Sequence, residues 1–266
     1  MPDSADVMSY AVEVLKTLDP LCGPAGIVRF IADGTLMACG NDGWGDEIIR
    51  GFYLTMALAV VTLPIGLALG FFVALAKQSE SRLLTISSNI YTTIFRGLPE
   101  LLTIFMIYYG LQIAVRNLLG LMGIQSSFEI NAFAGGVIAL TLVFSAYASE
   151  VLNSAFKAIP KGQYEAGYAL GMHRSTTMRL IILPQLLRIA LPGLGNLWMN
   201  LLKDTALISV IGLADILFNA YNAARMTKQA FYFLAIATLL YLVLAILSSI
   251  VFSRIEKRAR RAEMAR

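Results

Sequence analysis

Three stretches of the chain run without a single charged residue: Gly51–Ala76, Asn131–Ser149 and Gln229–Ser253, which are 26, 19 and 25 residues long. About 20 mostly apolar residues cross a bilayer as a helix, so each stretch is long enough. Two more apolar stretches carry isolated charges. Residues 89–113 contain Arg96 and Glu100 with Gly97 and Pro99 between them, and residues 190–213 contain Lys203 and Asp204. The pattern predicts five spans at roughly 51–76, 89–113, 131–152, 190–213 and 229–252, an all-α integral membrane protein. A transmembrane barrel, with its short alternating strands, does not fit runs of this kind.

The composition agrees. Of 266 residues, 58% are hydrophobic and 14% are charged, against roughly 45–50% and ~25% in soluble domains. Residues 1–50 form an extracytoplasmic N-terminal segment of different character, with eight acids and three bases. Its half-apolar stretches, around Val7–Leu18 and Ile27–Leu36, are too short to span and suit helices lying on the membrane or packed on the protein. The first 40 residues lack a basic start and a continuous apolar core, so no cleavable signal is expected. The chain's two cysteines, Cys22 and Cys39, both fall here. They can form a disulfide in an oxidising compartment, or remain two small packed thiols.

The net charge of +4 is better read by position than as a sign of nucleic acid, for which nothing else argues. With residues 1–50 outside, the inside segments 77–88, 153–189 and 254–266 hold 13 Lys and Arg, and the outside segments hold 6. The positive-inside rule then sets the N-terminus outside and the C-terminus in the cytoplasm. The domain order is the segment 1–50, a membrane domain 51–253, and a basic cytoplasmic tail 254–266 suited to anionic lipid.

An inside loop spanning about 153–189 is long for a connection, yet it is rich in helix formers. Pro160 and Gly162 end the preceding helix, and Gln163–Leu170 reads as a short helix with Gly171 as a left-handed cap. A second stretch, Ser175–Leu183, is expected to end at Pro184. The order is Glu165-Ala166-Gly167, three residues, Gly171, nine residues, then Ile181-Ile182-Leu183-Pro184. This resembles the EAA motif of bacterial ABC importer permeases, with Gly167 standing where a second Ala is usual. Four further segments, 95–112, 145–163, 190–216 and 231–243, resemble the polar amino-acid permeases of the histidine/lysine/arginine/ornithine and opine type. Residues 1–40 are not covered by the resemblance.

The resemblance implies a type I ABC importer permease in the bacterial inner membrane, with five transmembrane helices and a cytoplasmic coupling helix. It implies a second permease subunit (a heterodimer favoured over a homodimer), two ATP-binding subunits that carry ATP and Mg, and a periplasmic solute-binding protein. The chain has no phosphate-cradling Gly-Lys-Ser/Thr loop of its own, so it is read as a transporter subunit and not an enzyme, with no cofactor and no metal site. Tyr164, Glu165, Ala166, Gly167, Tyr168, Gly171 and Pro184 are the expected ATPase-coupling residues. The lone histidine, His173, reads as an exposed loop residue.

Ionisable groups at membrane depth are costly and mark pathways or interior pairs. Glu100, Glu150 and Asp204 are therefore the leading candidates for the substrate path, with Tyr108, Gln112, Tyr147, Asn196, Asn200 and Thr205 as polar liners. A cationic amino acid needs a carboxylate for its side chain and donors for its own carboxylate. Glu100 is the first choice. Alternatively Arg96 and Glu100, four residues apart on one helix face, neutralise each other. Two other classes compete with the importer reading. An ion-driven secondary amino-acid transporter should show paired broken helices in internal repeats. A membrane anchor of an enzyme complex leaves the buried charges unexplained.

Overall fold

The computed structural model describes residue 22 and residues 35–40, 43–122 and 129–264, with side chains described as far as residue 259. The expected stretch Val7–Leu18 lies outside the described residues, as does nearly all of Ile27–Leu36. Among the described residues the regular structure is entirely helical. The elements are α1 (Gly45–Lys77), α2 (Arg82–Gly97), α3 (Glu100–Leu121), α4 (Ala132–Ala158), α5 (Lys161–Ala169), α6 (Arg174–Thr177), α7 (Leu183–Asp204), α8 (Ile216–Thr227) and α9 (Ala230–Met264). A π-helical turn, Met178–Ile182, joins α6 to α7, and a 3₁₀ segment, Thr205–Ile211, continues α7. Among the described residues, five helical stretches are long and apolar enough to cross a membrane: Gly45–Lys77, Glu100–Leu121, Ala132–Ala158, Arg174–Ile211 and Ala230–Ala259. The count expected from the pattern holds.

Two spans differ from the pattern in ways that matter. The second was expected as one helix over 89–113. Instead the chain breaks at Leu98, which is extended (φ −93°, ψ 148°), and a new helix starts after Pro99. A residue before proline is pushed out of the helical region by the ring. The break is satisfied locally: Leu98 N donates to Ile94 O at 3.1 Å, and Pro99 O accepts from Thr103 N at 3.0 Å. The membrane-length helix is therefore α3, and Arg96 belongs to the helix before it. In α2 the polar Ser88 and Thr92 are buried while Leu83, Ile86, Ile90 and Ile94 are exposed, the distribution of a segment whose outer face meets lipid or a partner.

The fourth span was expected to begin near 190, after a helix ending at Pro184. The helix instead runs on through Pro184. In the π turn Leu183 N reaches back five residues to Met178 O. Register thus changes immediately before the proline, which then occupies a first-turn position of α7, where its missing N–H costs nothing.

The chain divides into two compact units, residues 1–55 with 214–240, and residues 56–213 with 241–266. In the first, Cys22 and Cys39 form a disulfide with Cα atoms 5.7 Å apart. Ala38 is buried against Gly43 and Gly45, where an added Cβ would come within 2.5 Å of backbone. Asp215 caps α8 by accepting from Phe218 N at 2.8 Å. The Asn219 amide ties α8 to α1 by donating to Glu47 O at 2.7 Å.

In the second unit α4 is the centre. Of its most apolar stretch 61% is buried, against 11% for the corresponding stretches of α3 and α9. It packs against α7, α3 and α2. Small residues allow close approach, the usual device where helices meet in lipid. A Cβ at Gly66 of α1 would lie 2.6 Å from the Phe144 ring, and one at Gly193 of α7 would lie 2.7 Å from Val151.

Candidate transport path and coupling helix

The break at Leu98–Pro99 places Glu100 in the first turn of α3, where the positive end of the helix dipole favours an acid. Asp204 ends α7. Both reach one cavity of about 110 Å³ enclosed by α3, α4 and α7, whose walls also include Tyr147, Asn200, Phe144 and Leu197. Two acidic side chains thus line one small cavity. Two carboxylates that share a cavity repel unless a proton or a cation lies between them. Two acids in so small a cavity favour positive charge there.

The other path candidates lie elsewhere. Glu150 accepts from Lys77 Nζ at 2.5 Å and forms an ion pair with Arg96 at 3.2 Å, and Lys77 also donates to Thr92 Oγ1 at 2.8 Å. Arg96 therefore does not neutralise Glu100. The helix break separates them, and the guanidinium turns to Glu150 and lies 5.7 Å from the centre of the Tyr147 ring. Tyr108 donates to Ile130 O at 3.2 Å, Gln112 donates to Tyr108 O at 3.1 Å, and Thr205 donates to Leu202 O at 2.7 Å. These three are satisfied within their own surroundings. Asn196 lines a separate cavity between α7 and α9, beside Phe252 and Glu256. The apolar walls of the acidic cavity and the role of Lys77 were not singled out from the sequence; Lys77 sits 73 residues from its partner Glu150, so no local pattern joins them.

On the loop between α4 and α7 the expected helix is present as α5. It ends in a Schellman arrangement: Met172 N donates to Gly167 O at 3.0 Å, Gly171 N donates to Tyr168 O at 2.9 Å, and Gly171 has φ +72°. Glu165, Ala166 and Tyr168 are exposed, whereas Gly167 is buried. Its burial explains the departure from the usual motif, because a Cβ at 167 would come within 2.5 Å of the Thr177 side chain. Gln185 of α7 donates to Gln163 at 3.1 Å and fixes the helix a second time. Tyr164 is half-buried, which together with neighbouring Tyr168 pushes its phenol above the ordinary value. His173 caps α6, with Nδ1 3.0 Å from Ser175 Oγ, and is exposed.

Several known proteins are similar to this chain. The nopaline transport system permease protein NocQ of Agrobacterium fabrum is 40% identical over 230 residues, 86% of this chain and 98% of that protein. The arginine ABC transporter permease protein ArtQ of Escherichia coli is 40% identical over 222 residues, covering 79% and 93%. The histidine/lysine/arginine/ornithine permease protein HisQ of the same species is 36% identical over 216 residues, covering 81% and 94%. A chain from the crystal structure of an amino acid ABC transporter with histidines superimposes with a TM-score of 0.68 at 32% identity, covering 81% of this chain and 95% of that one. A chain of the methionine ABC transporter MetNI, at 19% identity and a TM-score of 0.64, shares the fold. Residues 66–261 match the family of binding-protein-dependent transport system inner membrane components, and the chain belongs to that family.

Proposed function

We propose that this chain is the permease subunit of an ATP-driven importer, and that it forms the translocation path for a cationic amino acid or an opine. The observation that carries the substrate class is the convergence of Glu100 and Asp204 on one cavity that Tyr147 and Asn200 also wall. The relatives named for nopaline, arginine and histidine/lysine/arginine/ornithine transport support it.

In this reading the N-terminus is outside and the tail is cytoplasmic, as the distribution of bases favours. A second permease chain, most simply a related one, completes the path. Two ATP-binding subunits supply the energy and a solute-binding protein delivers the substrate. The mechanical link is α5. Its exposed Glu165, Ala166 and Tyr168 meet the ATPase, while buried Gly167 and the Gln163–Gln185 bond hold it to α6 and α7. Movement of α5 is passed along the continuous helix 174–211, which ends beside the acidic cavity. The substrate's cation lies between the two carboxyl groups.

The test is co-purification of the tagged chain with its partners, reconstitution into proteoliposomes, and uptake of cationic, neutral and opine substrates with and without ATP. ATP-dependent uptake of cationic substrates is expected. Uptake that proceeds without ATP, or a complex with no ATPase, would sink the proposal.

A further inference from the structure

Among the described residues, Lys77, Arg96 and Glu150 form a group of two cations and one acid, with a net charge of +1. The cation in excess is Arg96. Lys77 is only 5% exposed in its side chain and is held by both Glu150 and Thr92. The Arg96 side chain is 44% exposed, with a single, longer contact to Glu150. Guanidinium offers five N–H donors in a planar fork that suits a carboxylate, and Arg96 uses little of it here. A cation in excess is stabilised when an anion comes to it.

Its location supplies the anion. The guanidinium lies 5.7 Å from the centre of the Tyr147 ring, and Tyr147 also walls the cavity that holds Glu100 and Asp204. Two acids and the Arg96 guanidinium thus flank a single aromatic ring. A dibasic amino acid carries the complement: two positive centres, the α-ammonium and the side chain, and one α-carboxylate. We infer that Arg96 is the α-carboxylate-binding residue of this cavity, parked on Glu150 when the site is empty and turning past Tyr147 to the substrate when it fills. The substrate class rests on the function proposed above; the role of Arg96 requires only that the ligand be an α-amino acid. Glu150 keeps Lys77 when Arg96 leaves, so the exchange strands no buried charge.

The experiment is equilibrium binding to the complete transporter in lipid nanodiscs, without the solute-binding protein. The ligands are arginine and agmatine, the same molecule without its carboxylate. The wild type is expected to bind arginine at least about tenfold more tightly, the scale of a charge-assisted hydrogen bond. Arg96→Gln should weaken arginine to the level of agmatine and leave agmatine within about twofold, and Arg96→Lys should recover part of the difference. Equal weakening of both ligands, or of neither, overturns the inference, because a merely structural arginine does not distinguish them. If the wild type binds only neutral amino acids, the cationic reading fails by itself. Leucine and its decarboxylated amine then replace the pair, and the inference stands on the same selective loss in Arg96→Gln and falls without it.

Discussion

The cavity and the coupling helix are both built where a regular helix is interrupted, yet they use opposite physics. At Leu98–Pro99 the interruption starts α3 at Glu100, which lines the same cavity as Asp204. In the proposed reading two acids share this cavity and a cationic ligand completes it. At Gly171 and Met178–Ile182 the interruptions turn the chain so that Gly167 meets Thr177 closely enough to exclude even a methyl group. That arrangement is sterically complete and leaves no slack. A binding site gains selectivity from groups left without partners, whereas a lever transmits motion only if nothing in it yields.

The comparison breaks if changes of shape in the loop alter ligand preference, or if changes of charge in the cavity alter stability. The largest effect is expected from Gly171→Pro. Gly171 sits at φ +72° and donates its N–H to Tyr168 O, and proline can satisfy neither condition. The substitution should cost about 3 kcal/mol or more of local stability and abolish ATPase association in pull-downs, while arginine binding to the permease stays unchanged. Next is Glu100→Gln, which keeps the shape and removes a charge. It should weaken cationic ligands on the order of 30-fold to 100-fold, the worth of charged hydrogen bonds in a sheltered site, and weaken neutral ones much less. Melting of the complex should not fall, since a repulsive pair has been relieved. A lower melting temperature with equal loss for both ligand types would make Glu100 a structural residue. By contrast, Glu150→Ala should lower the melting temperature clearly, because Lys77 is then buried without its counter-charge.

Much of this was legible in the sequence because lipid imposes a simple code. Charge-free runs gave the spans, and the spacing from Glu165 to Pro184 gave the coupling helix with its Gly171 cap. Two readings failed for the same reason: hydropathy and i, i+4 spacing assume that a helix continues or stops as its own residues suggest. Pro99 breaks the expected second span, so Arg96 and Glu100, four residues apart, never face each other. Pro184 does not break the fourth, because a π turn, invisible in composition, shifts the register just before it. Partnerships across the fold, such as Lys77 with Glu150, depend on which helices become neighbours, and no local pattern carries that.

The departure of Gly167 from the usual motif is the sharpest test of steric coupling, and the smallest effect. Alanine favours helices by up to ~1 kcal/mol over glycine, so on propensity alone Gly167→Ala should stabilise α5. The structure predicts the reverse sign, because the new methyl would sit within 2.5 Å of the Thr177 side chain. Thr177 is 1% exposed and has no room to retreat. Overpacking of this kind costs roughly 1–2 kcal/mol, and the strain should appear as ATP hydrolysis uncoupled from uptake, with ligand binding intact. Thr177→Ala removes the obstructing atoms, and its hydroxyl has no hydrogen-bond partner to lose. The double variant Gly167→Ala/Thr177→Ala should therefore recover coupling and exceed the sum of its parts in a double-mutant cycle. Additive effects would mean that the two residues do not share the contact, and that α5 is held rigid by something other than this fit.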